Sequence, residues 1–328
     1  MKSPRTLIVG AGGQVGAAVA REVGLESATT VDLRIGPTAQ YALDLANAHT
    51  LSSRLEELLA ATRPDVVVNA AGMTWVDGCE ADPGRAMRLN HCAAQALAIQ
   101  ARRFGARNVY FSTEYIFDGT AGPYLETDHP RPLSVYARTK LDGERAVLAA
   151  DPDGLIIRTT VVYGPEILGK NFAYQLAAAL SSRTPIRVPS DQVSGPTYNV
   201  DLATATMALV RNRISGIFNV VGPELMDRAT FARRLARAIK GDESLVRPVA
   251  TSVLGQRALR PLNAGLQIGR LRSVLPHVCL RTPEEAVAHW LSCQIGKPWP
   301  MLVRTDPRSA GVADRGHVSI SGVDGLSD

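Results

Sequence analysis

The stretch TLIVGAGGQVG, residues 6–16, decides the fold. A short apolar run ends in spaced glycines, and a helix-like segment, QVGAAVAREVG (14–24), follows at once. Gly10 suits a tight turn, Gly13 lets the backbone approach a pyrophosphate, and Gly16 lets the helix pack closely on the strand. The phosphates would then meet the N-terminus of a helix, where free N–H groups and the dipole favour anions. Spaced glycines recur in many turns. Here a strand precedes them, a helix follows, and Asp32 closes the next apolar run (28–33) about 20 residues on, where a carboxylate takes ribose hydroxyls. Asp32 repels a 2′-phosphate and argues for NADH, whereas Arg34 would attract one and argue for NADPH. Both cofactors stay open.

Outward from this loop, short β-branched runs alternate with helical patterns. After 28–33 come LSSRLEELLAAT (51–62), DVVVNAAG (65–72), a helix-like stretch from Pro83 to Phe104, NVYFST (108–113), a helix from about Ser134, and GLIIRTTVVYG (154–164). That rhythm means repeated βαβ units and a parallel sheet covered on both faces. The expected fold class is α/β, a Rossmann-type doubly wound parallel sheet with a smaller C-terminal substrate-binding lobe. The rhythm weakens after a helical stretch at 172–182, where PIRVPSDQVSGPT (185–197) reads as a Pro-rich loop. Helices are expected near 200–211 and 228–239, with a strand at 217–222. We expect residues 1–165, with roughly 195–225, to form the dinucleotide-binding domain. Residues 166–194 and 226–296 form the lobe, and 297–328 a disordered tail.

Bulk properties exclude several classes. The chain has 328 residues, 45% hydrophobic and 20% charged, which is ordinary for a globular protein. No apolar run approaches the roughly 18 residues of a membrane span, and the N-terminus reads as a strand, not a signal peptide. Cys79, Cys92, Cys279 and Cys293 form no CxxC pair, which points to a reducing cytoplasm. They offer no metal site, and His91, His129 and His289 have no partners at ligand spacing. The net charge is +5, with arginines crowded between Arg228 and Arg272. Without a zinc finger or aromatic-basic interleaving, nucleic acid is not the expected partner. Most arginines read as solvated, although a few would suit a diphosphate. A homodimer is the default oligomer.

Tyr136 and Lys140 stand four apart in YARTK, on one helix face and one turn apart. A free tyrosine, with a pKa of about 10, transfers protons poorly at neutral pH, and an adjacent ammonium brings it nearer the working range. Thr113, at the end of NVYFST, is placed to hold a carbonyl oxygen, because open α/β sheets keep ligands at strand carboxyl ends. The bland alternative, a surface tyrosine beside a solvated lysine, weakens with a glycine loop upstream. Trp75 is expected either to line a substrate pocket or to plug the lobe interface.

GAGGQVG, DVVVNAAGMTWVDGCEADP, FSTEYIFDG, SVYARTKLDGE, IIRTTVVYG, DQVSGPT and RPLNAGL occur in this order. In them the chain resembles the extended short-chain dehydrogenases, and within these the dTDP-4-dehydrorhamnose reductases, from about residue 5 to 292. The resemblance implies reduction of a nucleotide-linked 4-keto sugar by NADPH or NADH. Tyr136 would be the proton donor, Lys140 its partner and Thr113 the holder of the keto oxygen. It also implies cofactor contacts from Gly13, Gln14, Val15, Asp32, Asp44, Leu45, Ala70, Ala71, Gly72 and Phe111, with Tyr136 and Lys140 beside the cofactor and Asn90 near it. On their own terms Asp44 reads as a turn cap and Asn90 as a helix-face residue. The departures fall on the substrate side. Glu114 replaces the usual aspartate, Val161 a tryptophan that lies against the sugar, and Ala264 and Gly265 a serine–arginine pair. The substrate, contacted by Thr113, Glu114 and Val161, is thus expected to have drifted from dehydrorhamnose. Two alternatives share the fold: a non-catalytic subunit similar to the regulatory subunit of methionine adenosyltransferase, and a tailoring ketoreductase for another ketone.

Overall fold

A computed structural model describes residues 3–24 and 26–293. The segment expected to be a disordered tail, 297–328, lies outside these residues. Strands β1 (Thr6–Val9), β2 (Ala28–Asp32), β3 (Tyr41–Ala42), β4 (Val66–Asn69), β5 (Arg107–Thr113), β6 (Leu155–Thr159) and β7 (Gly216–Asn219) form one seven-stranded sheet. Its order is β3-β2-β1-β4-β5-β6-β7, and every pair is parallel. The sheet is doubly wound, as expected, and the order reverses between β1 and β4.

Alternation along each strand assigns its faces. Ile8, Val66, Val68, Val109, Phe111, Leu155 and Ile157 meet helices α1 (Gln14–Val23) and α6 (Asn199–Arg211) in one cluster. Leu7, Val9, Val31 and Val67 meet α2 (Leu51–Thr62) and α3 (Ala93–Arg103) on the other. There α4 (Val135–Ala150) covers Tyr110 and Ile156 through Val147. Both faces being buried explains why these strands are apolar throughout.

A second cluster gathers α5 (Phe172–Ser181), α7 (Arg228–Ala238) and α8 (Pro283–Cys293) around Tyr163, Phe231, Leu235 and Trp290. The stretch read as a Pro-rich loop contains a strand, Ile186–Pro189, paired in parallel with Val246–Val249. Pro185 precedes the strand and Pro189 ends it, so the ladder between them survives. The single strand expected over 154–164 is broken. It resumes as Val162–Tyr163, paired with Thr197–Tyr198, because Val161 takes a left-handed φ of 42° between the two pieces.

Candidate active site

The carboxyl ends of β1, β4, β5 and β6 open into a cavity of about 580 Å³, across the point where strand order reverses. One half is built from the glycine turn. Gly10 has a φ of 84°, and a β-carbon there would lie 2.6 Å from the Ala71 nitrogen, so glycine alone allows the turn to press on the loop after β4. A β-carbon at Gly16 would run into the Gly10 carbonyl oxygen. Gly13, Gln14 and Val15 line the cavity at the N-terminus of α1, which no side chain caps. Asp32 accepts hydrogen bonds from the Gly12 N–H (2.8 Å) and the Leu33 N–H (2.7 Å), which aims its carboxylate at the turn. Asp44, Leu45, Ala70, Ala71, Gly72 and Phe111 complete this half. Asp44 also caps its own turn by accepting from the Ala46 N–H (2.9 Å). An uncapped helix N-terminus, a tight backbone turn and a carboxylate at the end of β2 fit a dinucleotide.

Three expected cofactor residues do not line the cavity. Gly16 packs beneath Gly10, and Arg34 is exposed. Asn90 is fully buried on a π-helical turn, Arg88–Cys92. Its amide oxygen accepts from the Met73 N–H (2.8 Å), and its nitrogen donates to the Met73 carbonyl (3.1 Å) and the Thr139 hydroxyl (3.1 Å). Asn90 therefore ties the loop that forms the cavity floor to α4.

The other half holds Thr113, Tyr136 and Lys140. Ser134 caps α4 by accepting from the Ala137 N–H (3.2 Å), which places Tyr136 in the first turn and Lys140 in the next. Tyr136 packs edge-on against Tyr115, with ring centroids 5.9 Å apart. The Lys140 ammonium donates to the Phe111 carbonyl (2.6 Å) and lies 4.0 Å from the centre of the Tyr110 ring. Burial pulls its pKa down to about 7, against the opposing pull of Glu144. The Thr113 oxygen accepts from the Tyr115 N–H (3.2 Å), which leaves its hydroxyl hydrogen to donate elsewhere.

Glu114 and Val161 reach the far end of the cavity, joined by Thr160 and Arg228. Glu114 is 3% exposed, and burial raises its carboxyl to about 8, opposed by a hydrogen bond with Thr160 and by the charge of Arg228. Neither Thr160 nor Arg228 was singled out in the sequence as a site residue. Thr160 follows an apolar strand with no motif of its own, and Arg228 shows only as one arginine in a crowded stretch. Trp75 is 42% exposed and packs over Gly78, while its neighbours Thr74 and Val76 line the cavity. Ala264 and Gly265 lie elsewhere, in a strap where the Gly265 carbonyl accepts from the Tyr124 N–H (2.7 Å). No group of three or more metal-ligating side chains occurs among the described residues, and no helix there is long and apolar enough to cross a membrane.

A family model described as the RmlD substrate binding domain matches residues 4–293. A dTDP-4-dehydrorhamnose reductase of Mycobacterium tuberculosis is 34% identical over 265 residues, 79% of this chain and 83% of that protein. The chain belongs to the dTDP-4-dehydrorhamnose reductase family of NAD(P)-dependent oxidoreductases. A dTDP-4-keto-6-deoxy-D-glucose reductase of Streptomyces niveus is 37% identical over 201 residues, covering 61% of this reductase and 69% of that one. The crystal structure of a dTDP-4-dehydrorhamnose reductase from Bacillus anthracis in complex with NADP superposes with a TM-score of 0.79 at 28% identity. It covers 89% of this chain and 99% of that one.

Proposed function

We propose that this reductase uses NADH or NADPH to reduce the 4-keto group of a nucleotide-linked 6-deoxyhexose. One observation carries the reading: Thr113, Tyr136 and Lys140 share a single cavity with the glycine turn and Asp32. Gly13, Gln14 and Val15 would hold the pyrophosphate, Asp32 a ribose, and Phe111 with Ala70 to Gly72 the floor beneath them. When bound, the reduced nicotinamide supplies the hydride to the carbonyl carbon.

The chain's own groups do the rest. The Thr113 hydroxyl donates a hydrogen bond to the keto oxygen, as its remaining hydrogen allows. Tyr136 gives its phenolic proton to the same oxygen, completing the alcohol. The Lys140 ammonium, held by the Phe111 carbonyl, stabilises the phenolate left behind. Glu114, Thr160, Val161 and Arg228 face the rest of the sugar. Valine offers no aromatic platform at 161, so recognition at that end shifts from stacking to polar contacts.

The test is loss of reduced-cofactor absorbance when the purified protein meets a panel of nucleotide 4-keto sugars with either cofactor. Turnover of at least one sugar supports the reading. Tight cofactor binding with no turnover of any of them refutes it and favours a non-catalytic role.

A further inference from the structure

Glu114 and Arg228 meet the substrate end of the cavity from different parts of the chain, and each has an unsatisfied polar group there. Glu114 sits at the end of β5, directly after Thr113, and its Oε2 is buried without a hydrogen-bond partner. Arg228 opens α7, with its guanidinium 5.4 Å from the centre of the Phe172 ring. Its Nε is also buried without a partner, and among the described residues its guanidinium makes no hydrogen bond or ion pair. Orphaned buried polar groups are costly, and natural structures keep few of them. Backbone strain collects at the same spot. Val161, a β-branched residue, is held at a φ of 42° beside Thr160, a conformation that persists only where surrounding structure enforces it.

We propose that Glu114 and Arg228 together recognise the hydroxyl on the carbon next to the ketone, which makes them specificity determinants for a 3-hydroxy-4-keto sugar. The inference rests on the reaction assigned above. Arg228 can only donate, and a carboxyl oxygen can accept. A hydroxyl answers both, its oxygen accepting from Arg228 and its hydrogen going to Glu114 Oε2. Glu114 and Arg228 both line the cavity, so a hydroxyl bound there can reach both side chains. Position identifies which hydroxyl. Thr113 holds the keto oxygen, so Glu114, the next residue, neighbours the reacting carbon. In a 4-keto-6-deoxyhexose the carbon on one side bears a hydroxyl and that on the other the ring oxygen and methyl group. Only the former offers what the two side chains lack.

The experiment compares kcat/KM for a dTDP-linked 4-keto-6-deoxyhexose and for its 3-deoxy counterpart. Wild-type enzyme should prefer the hydroxylated sugar by about 100-fold or more, since sites built for a substrate hydroxyl reject analogues without it. Arg228→Met, which keeps an apolar stem on Phe172, should collapse that preference by at least about 10-fold, a loss of the size expected when a buried charge-assisted hydrogen bond goes. Glu114→Met should do the same, while Glu114→Gln, which retains an acceptor oxygen, should keep most of the preference. If Arg228→Met lowers both substrates equally, the residue holds the shared nucleotide part and the inference is overturned. Equal use of both sugars by wild-type enzyme overturns this inference alone. Reduction of neither overturns the reaction assignment as well.

Discussion

Burial shifts two ionisable side chains of the site in opposite directions, Lys140 down and Glu114 up. Lys140 titrates near 7 in the folded chain, against 10.5 when free. Its ammonium is what stabilises the Tyr136 phenolate left after proton donation, so wild-type kcat/KM should fall as pH rises through about 7. Lys140→Met should remove that limb and lower kcat by about 100-fold, as pH–rate profiles of the two proteins would reveal. Glu114 stays protonated in the fold up to about 8, whereas the unfolded chain releases that proton near 4.5. The folded state thus binds more protons across that window, and its stability falls as pH rises through it. Glu114→Gln has no proton to lose. Its melting temperature should gain on wild type steadily from about pH 5 to pH 8, and a constant difference would count against a buried neutral carboxyl.

At the scale of elements, the site is a set of strand ends and the turns that follow them. The turn after β1 depends on contact between backbones. Gly16→Ala should force its β-carbon against the Gly10 carbonyl, weaken NAD(P)H binding by about 10-fold or more, and lower the melting temperature. Fluorescence titration with the cofactor would measure the first effect. Much of the site was legible in the sequence, because Gly10, Gly13, Asp32, Thr113, Tyr136 and Lys140 lie at local spacings with their own physical logic. The break at Val161 was not legible. No glycine or asparagine marks it, and only the surrounding packing holds a β-branched residue there. Asn90 was read as lying near the cofactor, yet it works one layer back by fastening Met73 to α4. Its partners are set by a π-helical turn that nothing in the local sequence announces.

Across the whole molecule, the sheet and the second cluster both contribute to the cavity: Arg228 comes from α7, while Thr113 and Glu114 come from β5. Such a pairing depends on how distant segments dock, so spacing in the sequence could not display it. A buried ion pair ties α4, with its Tyr136 and Lys140, to β6. Arg158 donates to both Glu144 oxygens (3.0 and 2.7 Å) and to the Glu126 carbonyl (3.0 Å), and both side chains are 3% exposed. Arg158→Met leaves Glu144 buried without its cation and should cost about 3–5 kcal/mol. The double variant Arg158→Met/Glu144→Leu should cost less than the single one, which chemical denaturation can establish.

Proton donation by Tyr136 to a bound ketone is most directly tested by Tyr136→Phe, with kcat and cofactor affinity measured on the same preparation. The phenyl ring preserves the packing on Tyr115. With Tyr136 as the donor, kcat should fall by about 100-fold or more while NAD(P)H binds with near wild-type affinity. Undiminished turnover by this variant would contradict proton donation by Tyr136.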